Sequence, residues 1–325
     1  MICKMKKRTL KMLASLMLCI SVLLQSPCLL VADAEAVYPA ERNSYYGLLV
    51  PTQLTKIGDT FYLVDSYHNQ ILFSTSYGVL SSSWKVMAKD LSQPHSVAGD
   101  GAVFLVTDTE NHRVISYMKN PEGYVELQVF DNIGVRPHYV VYDAPTGLFY
   151  VWSSMTGEMY LFRRKPDTLE VYLEKVMRIP ELYGKYVRSF TIEGDHIYFP
   201  CVHGSSIVEA DKDTFAIRNI YPVPEKIAGM VQLIRIQNYY YLTVSTDINF
   251  NQRAASIVRA KTLEDFATGN YENMSWYFGG DGAPYYISAA DGSYFTVVIR
   301  TTGRACGYKF DVVNDEICNR EELTY

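Results

Sequence analysis

The chain has 325 residues, of which 48% are hydrophobic and 20% charged, and a formal charge of −5. This is a globular composition, which excludes disordered, collagenous and fibrous classes. Five basic residues (Lys4, Lys6, Lys7, Arg8, Lys11) crowd the first eleven positions. The remainder is therefore acidic, which argues against a nucleic-acid surface.

The basic start is followed by an apolar run, residues 12–24, and then by small residues at Ala32, Ala34 and Ala36. These are the three parts of a secretory signal, with cleavage expected after Ala36. The competing reading is a retained anchor. The clean apolar run is shorter than the roughly 20 residues that span a bilayer, so an anchor would have to extend to Val31 through Pro27. Neither Cys19 nor Cys28 is preceded by a small residue, so a lipoprotein is not expected. The domain reading is a signal over 1–36 and one exported domain over 37–325, located outside the cell with no membrane segment once the signal is gone. That domain keeps Cys201, Cys306 and Cys318 and no CxxC pair. Such thin cysteine usage is not a disulfide scaffold or a zinc knuckle.

From residue 51 onward one pattern recurs six times. A short strand enters, often after proline, in segments 51–57, 94–99, 137–142, 187–192, 231–236 and 284–289. A Gly, Asp or Asn turn follows, then an alternating aromatic or β-branched run such as FYLVD (61–65) or VFLVTD (103–108). That is a hairpin signal. Third and fourth strands complete each unit. They end with MSWYF (274–278) in the fifth unit, and with CGYKFD (306–311) and DEICN (315–319) in the sixth. Four antiparallel strands at a period of about 40–50 residues make a propeller blade. The expected fold is all-β, a six-bladed β-propeller with little helix. Val37–Tyr46 is left over to add an outer strand to the last blade. Cys306 and Cys318 are expected to be near neighbours on facing strands, with a bridge left open, and Cys201 to be a buried thiol.

DTENHRV (108–114) and DSYHNQI (65–71) resemble the signature of NHL repeats, roughly Asp-Thr-x-Asn-His-Arg-Val after a hydrophobic strand. Asp108, Thr109, Asn111, His112, Arg113 and Val114 match throughout. The first segment transposes His68 and Asn69 and has Gln70 in place of Arg. The resemblance implies a six-bladed propeller and leaves function open, because this architecture hosts both binding modules and enzymes.

His68 and His112 lie in the signature turns, where a structural role tying neighbouring blades is expected. His203 falls in the equivalent turn of the fourth unit. Aligning the six units places Thr52, His95, His138, Arg188, Val231 and Tyr285 in one column at the start of the innermost strands, which ring the channel mouth. Thr52, His95, His138, Arg188 and Tyr285 are the candidate ligand-binding residues. His95 and His138 are the candidate metal ligands, and Arg188 suits a carboxylate or phosphate. Among NHL-like enzymes, the peptidyl-hydroxyglycine lyases hold zinc with three channel histidines; this column supplies two. GGDGA (279–283) precedes a strand and not a helix, so it does not suit a phosphate. Trp84, Trp152 and Trp276, with the many tyrosines, are of a type that stacks on sugar rings, but most lie in strands at alternating positions, so they are expected in the core.

There is no complete catalytic motif. The leading expectation is a secreted, monomeric binding or scaffold propeller for a peptide, carbohydrate or protein partner, with no cofactor. The alternative is an exported metal-assisted lyase or hydrolase, with zinc at the channel mouth.

Overall fold

A computed structural model describes residues 47–78, 84–300 and 306–324. The signal segment and Val37–Tyr46 lie outside the described residues. Six four-stranded antiparallel sheets follow one another along the chain, each with its strands in sequential order. In blade 1 the strands are Pro51–Ile57, Thr60–Asp65, Gln70–Ser74 and Lys85–Ala88. The second strand of blades 1 to 3 is buried at every position. Its residues face neighbouring blades on both sides, so it reads as a continuous apolar run.

Blade six meets blade one and closes the ring. Phe61 packs edge-on to Phe295 at 5.6 Å, and Lys56 Nζ lies 2.5 Å from Asp291 Oδ2. Similar ion pairs clamp other neighbours on that face: Arg164 to Asp100 at 2.6 Å and Arg235 to Glu193 at 2.9 Å. Nearer the axis the ties are hydroxyls on the next blade's backbone. Thr52 Oγ1 donates to His95 O (2.8 Å), Ser96 Oγ to His138 O (3.3 Å) and Ser189 Oγ to Val231 O (2.7 Å). Each such bond contributes about 0.5–1.5 kcal/mol, more than most exposed ion pairs.

The signature turns carry the structural role expected of them. In blade 2, buried Asp108 accepts from Ser92 N (2.6 Å), Asn111 Nδ2 (2.9 Å) and Arg113 Nε (2.6 Å). His112 has a left-handed backbone, and its Nδ1 accepts from Arg136 N at 3.2 Å, in the connection to blade 3. Blade 1 has the same bonds with the letters exchanged. His68 Nδ1 meets Asp65 Oδ2 at 2.5 Å, where Asn111 meets Asp108. Asn69 takes the left-handed position and accepts from Gln93 N at 3.0 Å. In blades 3 and 4 the letters vanish but the backbone bond of blades 1 and 2 persists. Leu91, Ile133, Ile179 and Val223 each donate N–H to the carbonyl of the left-handed turn residue of the blade before: Asn69, His112, Gly157 and Ser205. Gly157 is required there, because a Cβ would sit 2.5 Å from Ile179 O.

The Asp65–His68 bond makes stability depend on pH. Hydrogen bonding to Asp65 raises the His68 pKa above its ordinary 6.5. The stabilisation is then complete below about 6.5 and is lost as pH climbs through the raised folded value. The melting-temperature gap between wild type and His68→Ala should therefore be wider at about pH 5.5 than at about pH 8.5. An equal gap at both would exclude a charged His68.

Three local expectations are corrected. Residues 275–278 form a 3-10 turn, and the fourth strand of blade 5 is only Glu272–Asn273. Ahead of it Thr262 and Asp265 form a capping box that starts a helix, α1 (Leu263–Thr268), which ends at left-handed Gly269; a Thr-x-x-Asp pattern before an apolar residue marks such a start. Two inner strands are shorter than expected, Val97–Gly99 and Thr191–Glu193. The cysteines are apart. Cys318 faces Asp311, whereas Cys306 faces Thr324, so some 17 Å of strand separates them at about 3.3 Å per residue. All three cysteines are free, and burial pushes the Cys201 thiol up to about 12. Titration with a thiol reagent in denaturant should count three reactive groups in the signal-free chain; a count of one would contradict this register.

Candidate functional site at the axis

In these antiparallel blades, first strands start and second strands end on one face. That face also carries the connections between blades. All six column residues are buried there. What turns them inward is largely the β-bulge, in which two residues oppose one and the extra side chain is re-aimed. Opposite their second strands, Thr52, His138 and Val231 are the extra residues of blades 1, 3 and 5. In blade 6 Tyr285 and Tyr286 together span such a shift. His95 and Arg188 precede their strands. His95 N and Ser96 N turn instead to Thr107 Oγ1, at 3.4 and 3.0 Å.

The column residues are not equivalent. His95 and His138 stack, with ring centroids 3.8 Å apart and planes 14° from parallel. Tyr285 lies nearly parallel to His95 at 5.8 Å, its hydroxyl 3.3 Å from His95 Nδ1. Arg188 is one step away. Its Nε donates to Tyr186 Oη (3.1 Å) and its Nη1 to Ser245 Oγ (2.7 Å), and its guanidinium lies over the Tyr186 ring. Thr52 commits its hydroxyl to His95 O, and Val231 contributes its carbonyl to Ser189.

Tyr286 is the residue that column alignment missed. Its hydroxyl donates to Arg188 O at 3.0 Å, so His138 Nδ1, 2.8 Å away, carries the proton and donates to Tyr286 Oη. One side chain from blade 6 thus ties blades 3 and 4 across the axis. Its ring packs on Tyr139 at 4.5 Å, and Gln232 Nε2 approaches Tyr139 Oη at 3.4 Å. The only trace in the sequence is the consecutive Tyr-Tyr at a strand start, where strict alternation would send one ring outward.

The fit to a metal is poor as the rings stand. Imidazole ligates through an in-plane lone pair at about 2.0–2.1 Å. Two near-parallel rings stacked 3.8 Å apart aim those lone pairs along separate planes. Among the described residues no group of three His, Cys, Asp or Glu side chains is placed to hold an ion. His68, His112 and His203 lie away from this cluster in turns between blades, and His203 Nδ1 donates to Gly184 O at 3.0 Å. The same face carries two strongly exposed aromatics, Tyr183 at 73% and Trp276 at 66%. Trp276 is a correction to the expectation that the tryptophans lie in the core.

No known family's sequence profile matches this chain, and no curated protein matches it in sequence. Solved structures do match in fold. A putative 6-phosphogluconolactonase from Bacteroides fragilis is similar with a TM-score of 0.59 at 11% identity, covering 84% of this chain and 85% of that one. Streptogramin B lyase is similar with a TM-score of 0.54 at 13% identity, covering 86% and 85%. Hydrazine synthase of Kuenenia stuttgartiensis is similar with a TM-score of 0.56 at 16% identity, covering 84% and 80%. At such identities the likeness establishes the propeller fold, which serves scaffolds, binding modules and enzymes alike, and carries no activity across. Among the described residues no helix is long and apolar enough to cross a membrane.

Proposed function

We propose that this chain is an exported, NHL-like binding or scaffold propeller whose partner is met on the face that carries the blade connections, above His95, His138, Arg188 and Tyr285. The observation that carries this reading is the stacked histidine pair with its tyrosine partners at one end of the axis. Burying two imidazoles and a guanidinium is costly compared with an apolar side chain. Blade 5 has Val231 in the same column, so the fold itself does not demand polar groups there. Clustered polar and titratable groups at a converging point of the fold are the default site hypothesis. Arg188 and the histidines favour a carboxylate- or phosphate-bearing ligand. The zinc-dependent lyase or hydrolase is the weaker reading, because the stacked rings do not converge on one ion.

Two measurements test the proposal. The protein recovered outside the cell should begin at Val37; a chain that remains cell-associated with its N-terminus intact would overturn export. A panel of small carboxylates, phosphates and acidic peptides should include ligands that raise the melting temperature of the wild type and not of His138→Ala, since binding to the native state stabilises it. If no compound raises it, or if His138→Ala responds equally, the axial site is excluded.

A further inference from the structure

We infer that the loop 275–282, joining blades 5 and 6, is a binding subsite for a neutral sugar ring, with Trp276 as its stacking platform. The inference rests on the binding-module reading but uses none of the axial residues.

Trp276 is the one exposed tryptophan of three; Trp152 is fully buried and Trp84 nearly so. It is held rigidly. Tyr277 backs one face of the indole, with centroids 3.5 Å apart. The loop beneath is pinned by Ser275 N on Asn273 Oδ1 (2.8 Å), Gly280 N on Ser275 O (2.9 Å) and Arg320 Nη1 on Tyr277 O (3.0 Å). Phe278 anchors it in the core against Tyr308 and Phe310. A rigid aromatic loses little entropy on binding. Next to it in the chain is a small cleft lined by Ser256, Ser275, Gly280, Asp281 and Gly282 together with Ile257, Phe278, Pro284 and Val298.

The chemistry selects the ligand. The apolar neighbours in and beside the loop (Met274, Ile257, Phe278, Val298) are all buried. The indole is therefore the one strongly exposed large apolar side chain of the loop, backed by Tyr277, and is not part of the extended apolar patch that marks a protein hot spot. Asp281 and Glu322 flank the loop with negative charge, while Arg300 bonds Glu322 at 3.0 Å and lies 3.8 Å from Asp281. With Arg320, whose guanidinium reaches Tyr277 O in the same loop, two cations face two carboxylates, a balance that favours neither a cation nor an anion. A neutral pyranose has one C–H face for an aromatic ring and equatorial hydroxyls for a carboxylate, serine and backbone groups.

Tryptophan emission tests this directly, because only Trp276 can change its exposure without unfolding. Titrating the full-length protein with cellohexaose, chitohexaose and maltohexaose should give a saturable blue shift with at least one of them. Trp276→Ala should abolish it while the circular dichroism spectrum is unchanged. Asp281→Asn should weaken binding about five- to tenfold, the loss of one hydrogen bond to a charged acceptor. A His95→Ala/His138→Ala variant should bind these sugars normally, so failure of the axial site would leave this result intact. No shift with any of the three, or an unchanged shift in Trp276→Ala, overturns the proposal.

Discussion

Replacing Tyr286 with alanine is expected to destabilise the propeller by about 3–5 kcal/mol, the usual cost of removing a large buried aromatic ring. Tyr286 is fully buried, packs on Tyr139 and Tyr285, and joins His138 to Arg188 O. Tyr286→Phe separates packing from polarity. It keeps the ring and removes only the hydroxyl, leaving the Arg188 carbonyl and the His138 N–H to find new partners at a cost of about 1–3 kcal/mol. Denaturant titration of both variants measures the two contributions. The cost of Tyr286→Ala should exceed that of Tyr286→Phe; equal costs would mean that the ring itself does not hold opposite blades together.

The second large effect is expected at Asp108. Asp108→Ala should cost about 3 kcal/mol, because one fully buried carboxylate satisfies a backbone N–H, an amide and a guanidinium, and removing one partner strands the others. The exchanged signature of blade 1 provides a sharper test of the same idea. His68→Asn and Asn69→His should each destabilise the protein singly, because each breaks either the bond to Asp65 or the bond from Gln93 N. The double variant restores the blade 2 order and should recover most of that loss. Simple additivity of the two singles would show that the turn bonds do not act as a unit.

The six-fold period was legible because each blade must turn a hairpin at the same place and bury the same second strand on both sides. Those demands leave Gly, Asp or Asn and an apolar run behind even where every other letter drifts. The structural role of His68 and His112 was legible from their position in that period. The axial column was legible as a set of positions, since inner-strand starts must converge in any propeller. What the column does was not. That Thr52 and Val231 serve neighbouring backbones while His138 is turned onto His95 depends on bulges, which shift register by one residue and are set by the pairing of whole strands. Tyr286 reaches His138 only because such a bulge turns two consecutive rings the same way. The separation of Cys306 from Cys318 has a similar origin, since pairing is set by the whole length of two strands and not by the spacing of two letters. Local periodicity thus determined the architecture, because it follows from each blade's own burial. Register and contacts across the axis were decided only when all six blades closed on one another.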